Sequence, residues 1–222
     1  MISNSWRKQY VRVFFILFFT SFILRAATAQ TKKPLTRKES FFGLHFDFHA
    51  GKDDQNIGET LTEAMIDSML TIVKPDFIQV DSKGHPGITS FPVSVGTQAT
   101  SFAKDPLRLF RDVTARHSVA LYIHYSGVKD IEAISKHPDW ARINADGSRD
   151  PENTSVHSAY NDELLIPQLK EAITKYHING AWVDGDCWAT APDYSEPSLK
   201  KYFQQTGKKP KESQGNVIDT AF

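Results

Sequence analysis

Cysteine is nearly absent from this 222-residue sequence, with Cys187 as its single example. One cysteine cannot build an internal disulfide framework, and Cys187 stands too far from the N-terminus to carry a lipid anchor there. A chain that keeps about 190 residues after removal of a leader can still bury one ordinary hydrophobic core. The sequence therefore predicts one domain that is held together by its core.

The sequence also lacks an apolar run of membrane-spanning length. The apolar stretch Val13–Leu24 is shorter than the roughly 20 residues that a membrane-spanning helix needs. It follows several basic residues and precedes "RAATAQ", in which Ala27 and Ala29 fit the small-residue rule for signal cleavage. We predict that residues 1–29 are a secretory signal peptide cleaved after Ala29. The mature protein is then exported, periplasmic or secreted, and is not held in a membrane.

An excess of positive charge is missing as well. The sequence has 26 basic and 26 acidic residues, and removal of the leader leaves 22 basic against 26 acidic ones, a net charge of −4. Nucleic acid is excluded as a partner because its phosphates call for a basic face. No glycine-rich phosphate fingerprint follows a predicted strand, which disfavours a nucleotide-binding sheet. The basic residues lost with the leader are Arg7, Lys8, Arg12 and Arg25.

What the sequence does have is an alternation of short apolar runs and helical patterns. Residues 30–40, "QTKKPLTRKES", are polar and predict a flexible lead-in, and the alternation begins at residue 41. The apolar runs predict four strands over Phe42–Phe48, Phe77–Asp81, Ala120–Tyr125 and Gly180–Asp184.

Helical patterns fill the intervals between these strands. Thr60 and Glu63 have the spacing of a capping box, which predicts a helix that continues to residue 73. Asp105 and Pro106 suit the N-cap and first position of the next helix. Two further helices are predicted over Asp162–Tyr176 and Pro197–Gln205, the latter ended by Gly207. Trp140 and the polar run 144–155 predict a structured loop outside any site.

Four strand–helix units in series predict an α/β fold with a parallel sheet, because parallel neighbours need crossover connections. An eight-stranded βα barrel and an open doubly wound sheet both satisfy this pattern. A complete barrel needs about 250 residues and eight units, whereas residues 41–206 supply four. We therefore predict that residues 41–222 are the N-terminal part of a (β/α)8 TIM-type barrel. The chain is expected to be truncated, or to pair with a missing C-terminal half or a second copy.

Unusual polar residues mark the C-terminal ends of all four predicted strands. Side chains alternate along a strand, so polar and apolar residues of each strand are expected on opposite faces. Barrel enzymes keep their chemistry at this edge, and the sequence predicts a site there. The candidate residues are His45, Asp47, His49, Asp81, Lys83, His85, Tyr122, His124, Trp182, Asp184, Asp186 and Trp188.

The chemistry of this set suits carbohydrate. It combines carboxylates, histidines and tryptophans without a thiol nucleophile, and aromatic faces can stack on the apolar side of sugar rings. A retaining glycosidase needs two carboxyl groups about 5–5.5 Å apart, and an inverting one separates them by about 6.5–9.5 Å. Asp184 is the candidate nucleophile, and Asp186 could reach the same mouth. We expect an oligosaccharide or polysaccharide substrate, no cofactor and no metal.

Four segments, taken in order, carry a resemblance to a known family. "FFGLHFDFHAG", "DFIQVDSKGHPG", "LYIHYSG" and "GAWVDGDCW" resemble the first four strands of the α-L-fucosidase-like glycoside hydrolases and of a related group of barrel glycosyl hydrolases from polysaccharide-degrading bacteria. The likeness of "WVDG" to the family's Trp-x-Asp-Gly strand implies that Asp184 is the nucleophile of a retaining enzyme. It also implies that His49 and His85 bind sugar.

The sequence departs from that family at two motifs. It has His49-Ala50-Gly51 where the family has His-Trp-Gly, and Lys83-Gly84-His85 where the family has adjacent histidines. These differences affect the specificity for fucose rather than the glycosidase assignment. The family's acid/base lies beyond strand four, so this chain is expected to lack it.

Two alternative functions are open. A metal-dependent barrel hydrolase could use His45 together with Asp47 or His49 from the first strand as ligands. A barrel fragment that binds sugar without hydrolysing it follows from the missing half.

Overall fold

The computed structural model describes residues 33–185 and 191–208. The predicted signal peptide and the candidate residues Asp186 and Trp188 lie outside these ranges. Contacts divide the chain into two compact units, Met1–Lys33 and Pro34–Phe222, and the elements below belong to the second. Its strands are β1 (Gly43–Phe46), β2 (Phe77–Lys83), β3 (Ile88–Thr89), β4 (Thr97–Gln98), β5 (Ala120–Ser126), β6 (Ala141–Ile143), β7 (Arg149–Thr154) and β8 (Gly180–Asp184). Its α-helices are α1 (Glu63–Val73), α2 (Pro106–Arg116), α3 (Ile131–Lys136), α4 (Ile166–Tyr176) and α5 (Glu196–Thr206).

The central sheet has parallel strands in the order β1-β2-β5-β8. These are the four predicted strands, and each one pairs with its neighbour in the chain. A doubly wound sheet would reverse its strand order at a switch point, whereas this order continues in one direction. The structure thus confirms a barrel-type α/β fold with four parallel strands.

The end of β2 carries a small extension of the sheet. Lys83 pairs antiparallel with Thr89 of β3, and β4 pairs parallel with β3. The register of β2 against β5 shifts between Asp81 and Lys83, because Asp81 pairs with His124 whereas Lys83 pairs with Tyr125. Ser82 is therefore an extra residue, a β-bulge that reverses the alternation of the side chains after it.

The outer face of the sheet packs against the helices. Ile78 of β2 and Leu121 and Ile123 of β5 are fully buried there. Helical partners in the same core include Phe110 of α2 and Ala172 of α4. This face is the apolar half of the alternation in the sequence, so the polar half faces the interior side of the sheet.

The helix ends follow capping chemistry. Asp105 caps α2 by accepting from the amide of Arg108, as predicted, and Pro106 is the first helical residue. The capping prediction for α1 was wrong: Thr62, not Thr60, accepts from the amide of Met65. Gly207 ends α5 with a φ of 69°, a left-handed conformation that glycine adopts without strain.

Other boundaries differ from the prediction. Strand β1 ends at Phe46, so Asp47 and His49 lie in the loop after it. The predicted third helix begins with a π-helical segment, Asn161–Leu165, before α4. The predicted loop around Trp140 contains a 3-10 turn, Pro138–Trp140, followed by the β6–β7 hairpin. Within the described ranges, no helix has the length and apolar character to cross a membrane.

Candidate active site

A buried carboxylate lies at the centre of the polar strand ends. The side chain of Asp81, at the end of β2, is fully buried, and one histidine contacts each of its oxygens. The Nε2 atom of His49 is 3.1 Å from Oδ2, and the Nδ1 atom of His124 is 3.2 Å from Oδ1. Neither oxygen receives a well-aligned hydrogen bond from the residues that the structure describes. Asp81 thus holds together the loop after β1 and the strand β5.

His124 bridges two carboxylates. Its Nδ1 atom faces Asp81, and its Nε2 atom is 3.4 Å from Oδ2 of Asp184. The contact with Asp81 is the largest cause that raises the pKa of His124, burial acts in the opposite direction, and Asp184 raises it further. Three residues from three adjacent strands therefore form one line of alternating acid, base and acid.

Two backbone amides hold Asp184 in place at the end of β8, one through its side chain and one through its carbonyl oxygen. Its Oδ1 atom accepts a hydrogen bond from the amide of Gly185 over 2.7 Å, and its carbonyl oxygen accepts one from the amide of Gly127 over 2.7 Å. Its side chain is partly exposed. The Gly185 amide therefore orients the Asp184 carboxylate, which lies next to His124 and is accessible to a ligand.

An exposed tryptophan forms a wall beside this carboxylate. Trp182 is 52% exposed, and its ring centroid is 4.7 Å from that of His124. The ring of His45 stands edge-on to both, at 6.3 Å from Trp182 and 5.5 Å from His124. The indole thus presents apolar surface at the same mouth as the Asp184 carboxylate.

His85 and Asp47 extend the cluster. The Nδ1 atom of His85 is 3.0 Å from the hydroxyl of Ser126, and its ring centroid is 5.9 Å from that of His49. Burial is the main cause that lowers the pKa of His85, and the nearby charge of Lys129 lowers it further. The exposed carboxylate of Asp47 is 2.8 Å from Nε2 of His49.

Two predicted residues lie elsewhere. Lys83 belongs to β2, and the bulge turns it to the helix side, where its Nζ atom is fully buried 2.7 Å from Asp130 and 3.0 Å from the hydroxyl of Tyr160. Tyr122 lies one layer below His124, with its ring edge-on to Phe77.

Two residues of the site were not among those predicted from the sequence. Ser126 contacts His85, and Gly127 binds the backbone of Asp184. Both stand in the quoted segment "LYIHYSG", directly after the strand end. Alternation from His124 would have placed Ser126 on the same face.

The metal alternative invoked His45 from the first strand. His45 faces Trp182 and His124, and it is not part of the three-ligand group found among the described residues. Among the described residues, the group whose ligand atoms lie close together is His49, Asp81 and His124, with all three atoms within 4.8 Å of one another. A cavity of about 470 Å³ borders this group and is otherwise mainly apolar. Its lining includes His49, Asp81, Phe48, Leu61, Met65 and Phe110.

The comparisons with known proteins support the fold. No protein-family profile and no curated protein matches the sequence. The structure is similar to α-L-fucosidase isoenzyme 2 from Paenibacillus thiaminolyticus, with a TM-score of 0.65 and 21% identity over 77% of this chain and 27% of that chain. The fold is that of an α-L-fucosidase-like barrel. The chain spans only 27% of that enzyme's length.

A second fucosidase gives a weaker match. The α-L-fucosidase from Vibrio sp. strain EJY3 has a TM-score of 0.49 and 16% identity over 70% of this chain and 26% of that chain. The similarity to the Paenibacillus enzyme confirms the partial-barrel fold that the four sequence segments implied.

Proposed function

We propose that this protein is an exported α-L-fucosidase-like glycoside hydrolase in which Asp184 is the nucleophile and the mechanism is retaining. One observation carries the proposal: the Asp184 carboxylate stands at the C-terminal end of a parallel strand, oriented by the Gly185 amide and His124, beside the exposed Trp182. A carboxylate so placed can attack a sugar that stacks on the indole. The substrate is a glycan, in keeping with the enzymes whose fold the chain shares.

The geometry supports the first half of a double displacement. An oxygen of Asp184 forms a bond to the anomeric carbon while the bond from that carbon to the leaving-group oxygen breaks, and the electron pair goes with the leaving group. His124 is oriented by Asp81, and its Nε2 atom faces the Asp184 carboxylate. Water then hydrolyses the glycosyl–enzyme bond and releases the sugar.

The leaving group needs a proton unless it is a weak base. We assign this acid to the part of a complete barrel that follows strand four, as the family resemblance implies. A 4-nitrophenyl glycoside avoids the requirement because 4-nitrophenolate leaves without protonation. Such substrates therefore test the nucleophile separately from the acid.

The decisive experiment compares Asp184→Asn with the wild type on 4-nitrophenyl α-L-fucopyranoside and other 4-nitrophenyl glycosides. We expect at least about a thousandfold loss of kcat/KM, because the amide cannot form the glycosyl–enzyme ester. The exposed Asp53→Asn serves as the matched control and keeps full activity. Equal rates for Asp184→Asn and the wild type would refute the assignment.

We further propose that a second half-barrel completes the protein, either a C-terminal half or a second copy. Val183, on the helix side of β8, is 39% exposed, whereas Leu121 and Ile123 on the same face of β5 are fully buried. Sedimentation of the purified protein tests for a second copy. If the chain is monomeric and binds sugar without hydrolysing any aryl glycoside, it is the inactive sugar-binding fragment.

A further inference from the structure

We propose that His49, Asp81 and His124 bind one divalent transition-metal ion of the zinc class. The three side chains come from the loop after β1 and from β2 and β5, and they offer Nε2, a carboxylate oxygen and Nδ1 within 4.8 Å of one another. The proposal does not depend on glycoside hydrolysis. The sequence predicted no metal, and the first-strand ligand set of the alternative metal-dependent hydrolase shares only His49 with this site.

The state of Asp81 is the first argument. Its side chain is fully buried and neither oxygen receives a well-aligned hydrogen bond from the described residues. A buried carboxylate without such bonds is costly, and native structures compensate it with a partner, a water molecule or an ion. A cation held between this carboxylate and the two imidazoles would compensate both oxygens.

The orientation of His124 is the second argument. A neutral imidazole has one N–H group and one lone pair. If Nε2–H points to Asp184 at 3.4 Å, then Nδ1 faces Asp81 at 3.2 Å, and a second proton or a metal ion on Nδ1 makes that contact favourable. Histidines that bind a metal commonly direct their other N–H group to a carboxylate, as His124 does to Asp184.

The ligand types and spacing select the class of ion. Two ligands of a tetrahedral zinc ion are about 3.3–3.6 Å apart, because each lies about 2.0–2.2 Å from the metal. The distances from Asp81 to His49 and His124, 3.1 and 3.2 Å, are close to this spacing. Two nitrogen ligands favour zinc, cobalt or nickel over magnesium and calcium, which prefer oxygen. Three protein ligands leave one coordination position open, as in catalytic zinc sites.

The test is a zinc titration of the purified protein after treatment with EDTA, in competition with a chromophoric chelator. We expect one Zn²⁺ per chain. His49→Gln and His124→Gln should each lower the affinity for zinc by at least about a hundredfold. Loss of a residue that only hydrogen-bonds a metal ligand lowers metal affinity by about 10–100-fold, and loss of the ligand itself has a larger effect. His117→Gln is the matched control. His117 pairs with Asp67 on the surface and stands outside the cluster.

Folding and activity are separated by two further measurements. His49 has the more exposed of the two imidazoles, so His49→Gln keeps the test valid if the buried His124→Gln fails to fold by circular dichroism. Asp184→Asn removes no metal ligand but takes away the carboxylate behind His124, so we expect it to lower zinc affinity by about 10–100-fold, less than either ligand variant, while it loses glycosidase activity. Zinc binding by a wild type that hydrolyses no glycoside would refute the proposed function alone. The metal site is overturned if the wild type binds no stoichiometric zinc, or if His49→Gln binds it as the wild type does.

Discussion

Gly127 and Asp184 are in direct backbone contact at the mouth of the barrel. The amide of Gly127 donates to the carbonyl oxygen of Asp184 over 2.7 Å, and a Cβ atom on Gly127 would lie 2.6 Å from that oxygen. No side chain fits at residue 127 unless the end of β8 moves. The position of the proposed nucleophile therefore depends on a glycine of the neighbouring strand end.

Gly127→Ala is predicted to displace Asp184 and to destabilise the fold. We expect a loss of about 1–3 kcal/mol, the usual cost of overpacking, and a fall in kcat/KM on aryl glycosides. Urea unfolding and enzyme assays measure the two effects. Gly51→Ala is the control, because its new Cβ atom would meet Asp54 only at an ordinary 3.6 Å. Wild-type activity in Gly127→Ala would contradict the prediction.

Lys83→Met is predicted to destabilise the fold strongly. The ammonium group of Lys83 is fully buried against Asp130, and burial is the main cause that lowers its pKa. Removing it leaves the Asp130 charge buried and unpaired, at a cost of about 3–5 kcal/mol. Urea unfolding checks this against Lys52→Met, since the surface pair of Lys52 with Glu132 contributes at most about 1 kcal/mol. Equal losses in the two variants would show that Lys83 has no such role.

Asp193→Asn is predicted to weaken the fold more at neutral pH than at acid pH. Burial raises the pKa of Asp193, but hydrogen bonds from Ser155, Ser198 and two backbone amides outweigh it, and the pKa is lowered overall. The ionised form is thus preferred in the folded state. Its stabilisation is complete above the unfolded pKa of about 3.9 and disappears as the pH falls through the lower folded value.

Urea unfolding at two pH values measures this effect. At pH 7 we expect Asp193→Asn to lose about 1 kcal/mol, because the hydrogen bonds no longer end on a charge. Near pH 3 the gap from the wild type should shrink. A gap of equal size at both pH values would mean that the charge of Asp193 is unimportant.

Trp182→Ala is predicted to weaken substrate binding while the fold stays intact. Trp182 is 52% exposed, and its ring lies beside His124 at the mouth. Loss of the stacking surface should raise KM about tenfold, equivalent to about 1.4 kcal/mol. Phe203→Ala is a matched control because Phe203 on α5 is also 52% exposed. An unchanged KM in Trp182→Ala would remove this residue from the sugar site.

The sequence predicted the parallel strands well because their signal is local. Gly180–Asp184 was predicted with the observed bounds, since apolar runs between turn residues identify buried strands directly. The alternation within each run also predicted that Asp81, His124, Asp184 and Trp182 face the same side.

Three features could not be predicted because no local pattern in the sequence encodes them. The bulge at Ser82 is visible only in the register of β2 against β5, and it moves Lys83 to the opposite face. The short strands β3 and β4 contain two residues each, too few for a periodic pattern. The contact of Gly127 with Asp184 likewise joins residues that are remote in the chain.

The extra residue in β2 also decides the electrostatic character of the cleft. With regular pleating, the ammonium group two positions after Asp81 would project into the interior and neutralise that acid. Insertion of Ser82 turns this side chain into the helical layer, where its Nζ atom donates to Asp130 and Tyr160. Asp81 therefore faces the imidazoles of His49 and His124 instead of an ammonium group. A positively charged glycosyl transition state, or a metal ion, thus meets no repulsion from Lys83 in the cleft.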